Sequence, residues 1–154
     1  MENFRTQKEI EADIMQLNVE AEKKHAEISK KKETLVLNHN EQVRKIIDEA
    51  EDERKAIKFK IMDINFQLYE DLTDAEKIRL RQDRVKHEFN LQTINQAKDK
   101  KIRALKSQFD RELMQLNDES RQVSAWMNEQ KAPLKQESHE AWVARQREKE
   151  TIEE

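Results

Sequence analysis

Not one of the 154 residues is glycine. Glycine enters left-handed backbone conformations without steric cost, and at average usage of about 7% roughly eleven would be expected in a chain this long. Gly-rich phosphate loops, dinucleotide fingerprints and nucleophile elbows all depend on it, so those enzyme classes drop out. Tight primed hairpin turns depend on it as well, which disfavours a sheet fold. With a single proline, Pro133, little interrupts a helix. The expected fold class is all-α.

Apolar residues of the first half fall at Ile10, Ile14, Leu17, Ala21, Ile28 and Leu35, then Val43, Ile46, Ala50, Ile57, Ile61, Ile64 and Leu68. Steps of three, four and seven are a helical seam, with one slip near His39; a strand would step by two. Thr73, Asp74, Ala75 and Glu76 form a T-x-x-E capping box, the signature of a helix start. It predicts a turn at 71–73. The seam resumes at Leu80, His87, Leu91 and Ile94 and runs through Ile102, Leu105, Phe109, Leu113, Leu116, Val123 and Trp126. Pro133 lacks an amide donor and clashes with the preceding turn, so the second arm is expected to end or kink there. The expected architecture is a long antiparallel coiled-coil hairpin over 1–131, with arms at about 4–70 and 74–131. A polar third helix or tail follows at 132–154.

Folding at 72–73 pairs residue i with 145 − i. This places Val43 beside Ile102, Ile28 beside Leu116, Ala21 beside Val123 and Leu17 beside Trp126 and Met127. Residues 1–72 carry 13 basic and 17 acidic side chains, a net of −4, whereas residues 73–131 carry 13 and 10, a net of +3. Opposite signs flanking a seam set orientation, although each exposed pair contributes only ~0.2–1 kcal/mol. Arms of this size would span roughly 100 and 87 Å.

Near the turn each arm carries a second apolar stripe. Phe59, Met62, Phe66 and Tyr69 lie beside the seam on the first arm, and Ile78, Val85 and Phe89 on the second. A helix that is apolar on two faces needs two neighbours, so these seven are candidate partner or oligomer contacts. At the open end Phe4, Trp126, Met127 and Trp142 are expected to gather with Leu134, forming a second contact surface or a clamp on the third helix. The middle, around 48–55 and 96–101, is poor in apolar residues and should open most easily.

Little in the sequence points to chemistry. The histidines, His25, His39, His87 and His139, include no i, i+4 pair of the kind that binds zinc on a helix. Glu22-Lys23-Lys24-His25 matches one Glu-x-x-His half-motif, but the second half and two further glutamates are missing. His39 and His87 read as polar members of the seam. No serine has nucleophile flanks, and carboxylates on solvated helix faces have no concavity in which to be desolvated. No enzyme, cofactor or metal role is expected. Arg79, Arg81 and Lys86 are the least compensated cations and the candidate phosphate contacts, although a net charge of −3 disfavours a nucleic-acid coat.

These features predict a structural or assembly protein that oligomerises or docks to a larger complex, such as a virion, scaffold or machine component. The alternatives are a nucleic-acid-associated or nuclease-regulating protein, and a chaperone-like clamp. With no cysteine, no signal-peptide pattern and no membrane-length apolar run, the expected setting is the cytoplasm or a particle assembled there, with protein partners and no membrane.

Overall fold

The computed structural model describes residues 5–153. Two α-helices account for nearly all of them: α1, Gln7–Gln67, and α2, Asp74–Glu153. Among the described residues there is no strand. The helices form a hairpin.

A threonine caps both helix starts. The Thr73 hydroxyl accepts the Glu76 amide and the Glu76 carboxylate accepts the Thr73 amide, each at 3.3 Å, while the Lys77 amide bonds the Thr73 carbonyl at 3.0 Å. This is the capping box anticipated from T-x-x-E. The same tetrad, Thr6 to Glu9, caps α1, with the Glu9 amide donating to Thr6 Oγ1 at 3.2 Å. This second cap was not anticipated from the sequence.

α1 ends without a left-handed residue, since no described residue has positive φ. In a chain without glycine the usual left-handed cap would strain a Cβ. The helix instead tightens: Tyr69 and Glu70 donate to the carbonyls three residues back, Phe66 and Gln67, both at 3.1 Å. The connection therefore occupies 68–73, a little longer than the predicted 71–73.

Pro133 corrects one expectation. There is no third helix over 132–154, because α2 continues through the proline to Glu153. Pro133 is exposed, so the carbonyl it leaves unbonded faces outward, where solvent can satisfy it. Beyond it Leu134, Glu137, Ser138 and Ala141 return to the covered side, with Ala141 only 3% exposed. Packing against the start of α1 outweighs the local cost of the ring.

The covered positions of α1 run Ile10, Ile14, Leu17, Ala21, His25, Ile28, Lys32, Leu35, His39, Val43, Ile46, Ala50, Arg54, Ile57, Ile61, Ile64 and Leu68. They advance 58 residues in sixteen steps, close to the 3.6 residues of a straight α-helix. The apparent slip at His39 is two successive steps of four. Polar residues fill the gaps in the apolar list, and Lys32, His39 and Arg54 all lie on the covered face.

The chain divides into two compact units. Unit 1 joins Met1–Thr34 with Glu112–Glu154, and unit 2 is Leu35–Arg111, which contains the turn. The core is thin in both: Ile10, Ala21, Ile28 and Ala141 in unit 1, Ala50 and Ile64 in unit 2.

Contacts across the hairpin fix the register. Gln7 with Ser138 and His25 with Ser120 obey the expected pairing of i with 145 − i. His39 stacks on Phe109 with ring centroids 4.4 Å apart, and Arg84 donates to Asn65 Oδ1 at 3.1 Å. These two pairs lie three and four residues beyond that register, about one helical turn.

Candidate docking site

The face that distinguishes unit 2 is built from its second stripes. With Ile57, Ile61, Ile64 and Leu68 turned toward α2, residues two positions away must point outward. Phe59 and Phe66 are accordingly 65% and 66% exposed, Met62 is 49% and Tyr69 90%. On α2 the covered Leu80, Arg84, His87 and Leu91 send Ile78, Val85 and Phe89 out, at 54%, 60% and 67%. Two-thirds exposure leaves on the order of 100 Å² of each aromatic uncovered. Together the seven side chains present about 700 Å² of mostly apolar surface, more than scattered surface residues normally account for.

Arg79, Arg81 and Lys86 are exposed beside this face. Arg79 and Lys86 are seven residues apart and share one side of α2, whereas Arg81 is turned by roughly 160° from Arg79 toward the other side. The helix does not gather the three cations.

Below this face, on the covered side of unit 2, Ile46, Glu49, Ala50 and Glu53 border a cleft with Thr93, Ile94, Ala97, Lys98 and Lys101, of about 130 Å³. Small residues leave it open: Ala50 occupies a covered position where other turns place Ile or Leu, and Ala97 borders the cleft from the exposed side of α2. Nearby, Arg54 Nε and Asn95 Oδ1 are buried without a hydrogen-bond partner. Carrying the Asn65–Arg84 register eleven residues along puts these two opposite each other. The thin middle expected from sequence is therefore also imperfectly bonded.

The open-end residues do not gather. Phe4 lies outside the described residues. Trp126 and Met127 are half-buried, and the Lys24 ammonium sits 3.8 Å from the centre of the Trp126 ring. Trp142 is 56% exposed with His139 stacked at 6.3 Å. Sixteen residues on one continuous helix separate the tryptophans by about 24 Å. A third helix folded back would have brought them together; an uninterrupted α2 does not.

Polar contacts instead tie this part of unit 1. Arg5 forks onto Glu137, Nε to Oε1 at 2.8 Å and Nη2 to Oε2 at 2.7 Å, and also reaches Asp13. These bonds, to Glu137 first and Asp13 second, raise the Arg5 pKa, and the Arg5 bonds hold the Glu137 carboxyl below its ordinary value against the opposing effect of burial. Gln7 and Ser138 exchange hydrogen bonds at 2.8 and 3.0 Å, and Arg145 donates to Gln7 at 3.3 Å. None of these was singled out from sequence; apart from Arg5–Asp13, each joins residues more than 130 positions apart.

His25 lies between two serines, with Ser120 Oγ 3.1 Å from Nδ1 and Ser124 Oγ 3.5 Å from Nε2. Both ring nitrogens are engaged by hydroxyls, so a polar residue is accommodated on the covered face; no carboxylate orients the ring as a base. Among the described residues no group of three or more His, Asp or Glu side chains is arranged to hold a metal ion, and no helix is long and apolar enough to cross a membrane.

No family model, curated protein or solved structure matches the chain.

Proposed function

We propose that this chain is a non-enzymatic assembly component that docks other protein surface through the outward apolar face of unit 2. One observation carries the reading: seven large apolar side chains, six on the two helices at helical spacing and Tyr69 just past the end of α1, remain half to nine-tenths exposed although the seam beside them is covered. Helix pairing needs only the covered stripe. A second stripe that stays wet is an unfavourable surface for an isolated molecule and a favourable one for a docking partner. Near the turn the covered steps alternate four and three, from Ile57 to Leu68 and from Leu80 to Ile94, and coiled-coil pairing is proposed for that stretch.

The test is the double substitution Phe59→Ser with Phe66→Ser. Both residues are on the outer face, so helicity by circular dichroism should stay within a few percent of wild type. Apolar-dye uptake or particle mass by sedimentation should fall. If the double variant matches wild type in both mass and dye uptake, the face docks nothing and the reading fails.

A further inference from the structure

Resting on that reading, we propose that the occupant of the face is a second copy of this chain, laid hairpin on hairpin so that α1 of each copy covers α2 of the other.

Three observations within unit 2 lead there. The first is alignment by level. Asn65 bonds Arg84 and His39 stacks on Phe109, so residues whose numbers add to about 148 lie opposite one another. On that register Met62 matches Val85 and Phe59 matches Phe89, while Tyr69 lies in the connection beyond the end of α1. Four of the exposed apolar residues, two from each helix, therefore come in pairs at common heights, whereas Phe66 falls level with the polar Gln82. The two heights are three to four residues apart, about 5 Å. Unrelated surface residues have no reason to share this spacing.

The second is the side of the hairpin. Counted from the covered stripes, Met62 follows Ile61 and Val85 follows Arg84, one step around each helix in the same sense. In an antiparallel pair that step brings both residues over the same broad face, because the two helices turn in opposite senses when viewed along one axis. Phe59, Phe66 and Phe89 lie farther round, at the margins. A face edged on both helices by apolar layers at common heights is self-complementary, as a two-fold contact requires. Two such hairpins complete layers of four, the arrangement of an antiparallel four-helix bundle.

The third is charge, which selects the orientation. Within unit 2, residues 35–72 carry six basic and nine acidic side chains, a net of −3, and residues 73–111 carry eleven and six, a net of +5. Stacking α1 on α1 and α2 on α2 sets like against like. Rotation by two-fold symmetry about an axis along the hairpin sets α1 over α2 on both sides, with the two turns at the same end.

The chain has no cysteine, so introduced ones report without background. Single variants M62C and V85C are purified reduced, mixed and oxidised. The crossed arrangement predicts that the mixed M62C–V85C disulfide forms at least tenfold faster than M62C with itself, and that wild type sediments at twice 18.5 kDa. Equal rates of mixed and self cross-linking overturn the orientation. A single-copy mass at every concentration overturns the second copy as occupant. In that case, dye uptake that disappears in the Phe59→Ser, Phe66→Ser variant keeps the docking face with a different partner, whereas unchanged uptake removes both.

Discussion

Arg5 and Glu137 show how a few side chains fasten two long helices whose apolar contact is thin. The fork is partly exposed, so it orients the helices more than it stabilises them. Its pH dependence is still readable. Glu137 releases its proton more readily in the folded chain than in the unfolded one. Its contribution is complete above its ordinary value of 4.5 and is lost as pH falls through the lowered one. Wild type should therefore lose more of its urea midpoint between pH 6 and pH 3 than Glu137→Gln does; identical losses would show that the fork carries no linkage. Residues of this kind were beyond sequence reading, since nothing local marks Arg5 as the partner of Glu137. Exposed Phe59, Phe66 and Phe89 were legible, because each breaks a pattern that the seam beside it already satisfies.

At the scale of elements, the helices and their first turns could be read from periodicity and caps, and Pro133 could not. The proline rule is local, whereas the outcome depends on whether the next turns find a partner. Here Leu134 and Ala141 do, along the start of α1. The helix is predicted to carry the cost of the missing amide and the displaced carbonyl. Because Pro133 is exposed and the segment already helical, Pro133→Ala should raise stability by about 1–3 kcal/mol, measured as an increase in urea midpoint at unchanged slope. No increase would mean that the helix relaxes around the ring without penalty. The seam itself was only half visible. Lys32, His39, Arg54 and Lys98 occupy covered positions that an apolar count skips, and long stems or flat rings let polar residues serve there.

For the whole molecule, hairpin pairing was legible to within one helical turn, because charge and apolar spacing on two arms must agree along many residues at once. What covers the outer face of unit 2 is a different kind of information. It belongs to an encounter between chains, and only the heights fixed by Asn65–Arg84 and His39–Phe109 gave the face enough order to argue from. The hydrogen bonds from Gln7 to Ser138 and Arg145 carry one more implication. They hold the beginning of one helix beside the closing turns of the other, so the order in which the chain is written matters little to the contacts it makes. A circular permutant, joined by a short flexible linker and opened between Gln67 and Thr73, should keep the circular-dichroism spectrum of the parent and lose only the entropic benefit of its original loop. A largely unfolded permutant would mean that the connection at 68–73 is needed to start folding.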